Sequence, residues 1–198
     1  YSWTHMLIYV TGTIGAGKGE IVEYLKKKFN MKHYSFRQYY ADELKRRNQP
    51  IDRPHMIELA DSLRQTYGND YVVGELTGLA RQGKGDAVIE SIRNLGEVSF
   101  LKAQGDSVLI AVDAPAEIRF KRINERGSAL DNRTMEQFLA DDERENVNVD
   151  EWRTNILGCI KQADFVYNNS GTKEELHAWL DKLMQNILHA GRPTQKRK

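Results

Sequence analysis

Short apolar runs alternate with stretches whose apolar residues recur every three to four positions, from about residue 6 to residue 190. The runs at 6–11, Lys32–Phe36, Ala87–Ser91, Val108–Val112 and Asp164–Tyr167 predict five strands. The 3.6 period predicts a helix over 17–29, with Ile21, Val22, Tyr24, Leu25 and Phe29 on its apolar face. More polar helical patterns follow at 37–48, 54–67 and 70–83, then to about 104 after strand three, and from Pro115 to Arg126. Pro54 lies two after Asp52 at a helix start, and Gly68 and Gly127 mark helix ends. Thr134 with Gln137, and Thr172 with Glu175, have capping-box spacing and start two further helices. Five short strands separated by helices predict a three-layer α/β/α fold around a parallel sheet, with its site at the carboxyl ends of the strands. The expected organisation is one domain over 6–190 with two helical excursions, about 36–83 and about 127–148.

Directly after the first apolar run stands Gly12-Thr13-Ile14-Gly15-Ala16-Gly17-Lys18-Gly19, which fits the phosphate-cradling pattern G-x-x-x-x-G-K. Glycines there let the backbone aim its N–H groups inward, Lys18 neutralises outer phosphates, and the next helix presents its positive end. The pattern points to a nucleoside triphosphate. It departs from the usual loop at Gly19, where a Ser or Thr hydroxyl ordinarily meets Mg²⁺, and at the following Glu20. A metal must then be held mostly through water and by carboxylates elsewhere.

Composition narrows the partners. The formal charge is +1, and Arg192, Lys196, Arg197 and Lys198 leave residues 1–191 at −3, a poor footprint for nucleic-acid binding. No run of roughly 18 apolar residues suggests a membrane span, and a cytoplasmic location is the default expectation. The ends, 1–5 and 191–198, read as disordered tails. Cys159, the single cysteine, reads as a small buried side chain, and the five histidines show no metal-ligand spacing. Monomer and homodimer fit equally.

Phosphoryl transfer requires positive charge converging on the migrating group. Arg93 follows strand three, and Arg122 and Arg126 lie four apart on one helix. Arg37 follows strand two, Arg64 lies in the first excursion, and Arg133 and Arg144 flank the second. Arg93, Arg122 and Arg126 have the better positions, whereas Arg64, Arg119 and Arg133 read equally well as surface charge. Glu90 closes an apolar run where a carboxylate is costly unless paired or facing a metal, and is the candidate Mg²⁺ partner through water. Asp113 reads first as a cap of the helix after Pro115.

In order along the chain, Gly12–Gly19, Glu90-Ser91-Ile92-Arg93, Arg122-Ile123-Asn124-Glu125-Arg126 and Asn168-Asn169-Ser170-Gly171-Thr172 resemble the successive motifs of nucleoside monophosphate kinases. The nearest likeness is to proteins described as adenylate-kinase-related or dephospho-CoA-kinase-like, over roughly residues 6–190. The resemblance implies a P-loop kinase that moves the γ-phosphate of ATP, with Mg²⁺, to a nucleoside or deoxynucleoside monophosphate. It implies that Gly12, Thr13, Ile14, Gly15, Ala16, Gly17, Lys18, Gly19 and Glu20 surround the ATP phosphates. Arg122 would then cover the base, Arg126 would reach the phosphates, and Asn168, Asn169 and Thr172 would hold the adenine. Lys18, Arg93, Arg122 and Arg126 take the catalytic roles. Ser35, Arg37, Arg64, Arg93 and Arg144 would meet a small-molecule nucleotide acceptor, the excursion at 36–83 binding it and that at 127–148 closing as a lid. Glu90 and Ser91 replace the usual Asp and Gly, and Glu20 the common Thr. Two alternatives stay open: transfer to dephospho-CoA or another small acceptor, and an ATP-binding switch with little turnover.

Overall fold

The computed structural model describes residues 5–126, 134–148 and 150–189. Most of the expected tails, residues 1–4 and 191–198, lies outside the described residues, as do 127–133 of the expected lid, including Arg133. Five strands form one parallel sheet: β1 (Leu7–Gly12), β2 (Lys32–Ser35), β3 (Ala87–Ile92), β4 (Ser107–Asp113) and β5 (Phe165–Asn168), in the order β2-β3-β1-β4-β5. Every residue of β1 is buried, which its run Leu-Ile-Tyr-Val allows, because a central parallel strand is covered on both faces.

The two-residue period of the strands sorts the core into two layers. Leu7, Tyr9, Ile89 and Leu109 face helices α2 (Phe36–Arg46), α3 (Arg53–Tyr67), α4 (Tyr71–Gln82), α5 (Leu95–Gln104) and the short α8 (Ile156–Lys161). Ile8, Val10, Val88 and Ile110 face α1 (Lys18–Phe29) and α9 (Lys173–His189). Two further helices, α6 (Ala116–Arg126) and α7 (Met135–Asn146), stand beyond the carboxyl end of β4. Cys159 is fully buried on α8, and burial pushes its thiol pKa up, as suits a packing residue. Among the described residues, no helix is long and apolar enough to cross a membrane.

The helices start where their side chains can accept the first amides. Ser35 caps α2 through Gln38 N, Asp52 caps α3 through His55 N, and Asn94 with Glu97 forms a capping box on α5. Asp113 does not cap α6 as the sequence suggested: its carboxylate accepts instead from Thr13 Oγ1 and from Ala114 N.

Strand three runs one position past the expected Ala87–Ser91, and a bulge interrupts its pairing with β1. Val10 pairs with Glu90 but Thr11 pairs with Ile92, so Ser91 is extruded, with φ 77°. A side chain at positive φ costs roughly 1–2 kcal/mol, which glycine avoids while losing more freedom on folding. Ser91→Gly is therefore expected to hold or raise stability by up to about 1 kcal/mol, and Ser91→Val to lower it by roughly 1–3 kcal/mol. Urea unfolding midpoints read both, and an undiminished midpoint for the valine variant would dismiss the strain.

Candidate phosphate site and its arginine cluster

The loop from Gly12 to Lys18 leaves β1 at the centre of the sheet and enters α1. Gly12 has φ 150°, and a Cβ there would lie 2.1 Å from the Val112 carbonyl oxygen of the neighbouring strand. Gly17, the N-cap of α1, has φ 113°, and a Cβ there would lie 2.5 Å from Asn169 Nδ2. Both positions are confined to glycine by conformation and by space. No side chain caps the first turn of α1, which leaves its positive end to the loop. This donor set, closed around a lysine, fits a chain of phosphates.

Other elements fix the loop from outside. Thr13 Oγ1 donates to Asp113 Oδ1 at 2.5 Å, Asn169 Nδ2 donates to Ala16 O at 2.8 Å, and Arg119 Nη1 donates to Ile14 O at 3.2 Å. Lys18 Nζ donates to Gly12 O at 2.7 Å and Thr13 O at 2.9 Å. Burial, reinforced by the nearby Arg93 guanidinium, lowers the Lys18 pKa to about 7; Glu145 and Glu90 pull in the opposite direction.

Arg93, at the end of β3, is brought to this loop as the sequence suggested. Its backbone N–H donates to Glu97 Oε2 at 2.7 Å, and its Nη1 to Glu145 Oε2 at 2.8 Å. Arg53, at the start of α3, donates to the other oxygen of Glu145, also at 2.8 Å. Arg122 donates to the carbonyls of Asn169 and Gly171, so α6 grips the loop between β5 and α9. Arg126 is exposed at the last residue of α6.

Several side chains stand differently from their sequence reading. Arg64 does not reach the loop. It is 7% exposed and pairs with Glu97 at 3.1 Å and Asp61 at 3.5 Å, which places it behind Arg93 instead of beside it. Arg119, read equally as surface, is buried: it donates to Ala114 O and Ile14 O and forms a two-pronged pair with Asp142 of α7 at 2.6 and 2.8 Å. Arg144 is exposed and pairs with Asp141 on its own helix, while its neighbour Glu145 turns inward. Ser35 is committed to capping α2, and Arg37 is exposed on that helix.

Glu90 accepts from His33 Nε2 at 3.4 Å; that bond, helped by Lys18 and Arg93, holds its carboxyl below the usual carboxylate range. Glu20 turns away from the loop toward α9, meeting Lys173 and His177 at 2.9 Å each, and the Lys173 bond leads in lowering its pKa. Thr172 and Glu175 bond reciprocally at the start of α9, and Asn168 accepts from Ser170 Oγ. Asn168 also lines a cleft of about 350 Å³ with Asp113, Pro115 and Tyr167, at the carboxyl ends of β4 and β5. Among the described residues, no group of three His, Cys, Asp or Glu side chains could hold a metal. Gly19 offers no hydroxyl and Thr13 spends its own on Asp113, so the protein's oxygens suit Mg²⁺ that arrives on phosphates and keeps its water.

The residues the sequence reading passed over are Arg53, Asp142 and Glu145. Phe138, Asp142 and Glu145 recur at helical spacing on one face of α7, and Phe138 is buried against Arg119, whose guanidinium lies 5.3 Å from its ring. An apolar anchor in register with two carboxylates was the signal that this face turns inward.

Comparison with known proteins places this geometry. The family model AAA_18, described as an AAA domain, matches residues 8–148. A UPF0200 protein of Methanocaldococcus jannaschii is 30% identical over 187 residues, covering 93% of this chain and 91% of the relative. Among solved structures, shikimate kinase from Aquifex aeolicus superposes with a TM-score of 0.54 at 16% identity, covering 94% of this chain and 100% of that one. Deoxyadenosine kinase from M. mycoides, with dCMP and dCDP bound, superposes with a TM-score of 0.56 at 15% identity, covering 92% and 100%. These structures share the P-loop kinase-like α/β/α fold. The chain belongs to the AAA_18 family and, within the reach of that P-loop fold, to the UPF0200 proteins.

Proposed function

We propose that this protein is an ATP-dependent phosphotransferase whose acceptor is a nucleoside or deoxynucleoside monophosphate. The observation that carries the reading is the closeness of Lys18, in the Gly12–Lys18 cradle, to Arg93 at the end of β3, which shares Glu145 with Arg53 of the helical insertion. A cradle alone would serve any triphosphate-binding protein. The Arg53 and Arg93 guanidinium groups, which already share one carboxylate, supply a second anion seat, as transfer between two phosphorylated molecules requires. The kinases among the structural neighbours, one acting on deoxyadenosine, support a nucleotide-dependent kinase reading.

In this mechanism the loop amides and Lys18 hold the outer phosphates of ATP, and Arg122 and the loop at Asn168–Thr172 flank its base. Arg126 closes on the phosphates, and Arg93 orients the acceptor in line. Arg37 and Arg144, both exposed, are the residues that lid and insertion bring in on closure. Mg²⁺ neutralises phosphate charge when ATP brings it, with Glu90 as its water-mediated partner. The residues perform positioning and charge stabilisation, with no covalent step on the protein.

The test is ADP release from ATP and Mg²⁺ against a panel of ribo- and deoxynucleoside monophosphates and dephospho-CoA. One monophosphate is expected to stimulate release strongly, and Lys18→Ala to reduce that rate on the order of 100-fold or more with an unchanged melting temperature. A flat panel despite measured ATP binding would shift the assignment to a nucleotide switch, and stimulation by dephospho-CoA alone to the other acceptor.

Lys18 gives a second check. With its empty-site pKa near 7, most of the ammonium is neutral at pH 8, and a bound triphosphate favours the charged form. Binding of Mg-ATP at pH 8 is therefore expected to take up close to one proton, and affinity to fall as pH rises above 7, by up to about tenfold per unit. Titration calorimetry in buffers of different ionisation heat measures the uptake; none would mean that the lysine is already charged.

Glu20 gives a third. Because Lys173 and His177 already neutralise it, Glu20→Thr is expected to change ATP affinity less than about threefold. A gain well beyond that would show its charge reaching the phosphates.

A further inference from the structure

The Glu145 carboxylate divides its two oxygens between Arg53 and Arg93, each at 2.8 Å. The three residues come from separate elements: the insertion, the end of β3 and α7. Nothing in the fold of α7 demands this pairing. The helix is already held by the Asp142–Arg119 pair, by Phe138 in the core and by its Thr134–Gln137 capping box. Asn148 ties the following turn to the carbonyls of Arg144 and Thr154. Glu145 is therefore an addition to a docked helix, and it puts a two-oxygen anion between two guanidinium groups beside the lysine of the phosphate loop.

We infer that Glu145 is a built-in stand-in for the acceptor's own anion: it fills the Arg53–Arg93 seat until a phosphate-bearing acceptor displaces it. This rests on the phosphotransferase reading and narrows its substrate class. An acceptor that brings only a hydroxyl leaves Glu145 in place. One that brings a phosphate replaces it, offering three oxygens to the same donors and relaxing the α7 end over the site. Glu145 thus acts as a filter for charge, and Arg53 is half of the seat.

The experiment measures inorganic phosphate binding by calorimetry on the full chain in a Lys18→Ala background, so that the lysine of the ATP cradle does not contribute. Glu145→Gln is expected to raise phosphate affinity roughly tenfold, since it removes a charged competitor for two charge-assisted donors. Adding Arg53→Gln to that variant should abolish the gain. Affinity within twofold of the Lys18→Ala parent, or a gain that survives Arg53→Gln, overturns the inference. If Glu145→Gln does not fold, Arg53→Gln alone decides: a severalfold loss of phosphate affinity supports the seat, and no change overturns it. None of these readings uses turnover, so a failed acceptor panel and a failed anion filter remain distinguishable.

Discussion

The cations gathered at the candidate phosphate site repel one another, and carboxylates supplied from neighbouring helices resolve that conflict here. Asp142 takes Arg119, Glu145 takes Arg53 and Arg93, and Glu97 takes Arg64 while holding the backbone of Arg93. Guanidinium groups cannot shed their charge, so the buried Arg64 and Arg119 and the half-buried Arg53 and Arg93 each take such a partner. Lysine can, and burial first, with the Arg93 guanidinium second, lowers the Lys18 pKa to about 7. The helices α5 and α7 are thus electrostatic parts of the candidate phosphate site.

The same economy of contacts fixes the loop. Its backbone is held by hydrogen bonds from α6 and the turn after β5, through Arg119 and Asn169, and its Thr13 hydroxyl donates to Asp113 of β4. Asp113 ends β4, whose other residues fill both core layers, and Asn169 directly follows β5, so the packing of the sheet is transmitted to the loop as position. Donors aimed before a ligand binds need no reorganisation when charge develops on it. Glu20 illustrates the converse: a charge that would oppose phosphate is drawn off by α9.

The sheet and the loop were legible because period and glycine spacing are local properties. The five apolar runs predicted all five strands to within a few residues, and the G-x-x-x-x-G-K pattern predicted the turn between β1 and α1. The arginines were less legible, because their roles depend on partners far away in sequence. Arg119 and Ile123 are four apart and both buried, so that face of α6 turns inward, while Arg122 and Arg126 lie on another. Reading Ile123 as the inward marker would have separated them. The two acidic side chains of α7 were missed for a different reason: phosphate chemistry directs attention to positive charge, and counter-charge is equally part of the site.

Substitution of the loop's usual hydroxyl position by Gly19 has a consequence for how charge is shared. Thr13 has its hydroxyl tied to Asp113, and Glu90 is drawn to His33, so the chain brings few direct oxygens to a cation. Neutralisation of the phosphates then falls more heavily on Lys18 and the guanidinium groups, whose strength depends on what else they hold. As long as Glu145 occupies Arg53 and Arg93, that strength is partly spent within the protein. On the inference above, an acceptor phosphate that takes the place of Glu145 frees the arginines' charge to act on it. On the proposed phosphotransferase reading the missing hydroxyl is compatible with catalysis, because the positive charge at the site comes from side chains that the substrate itself releases.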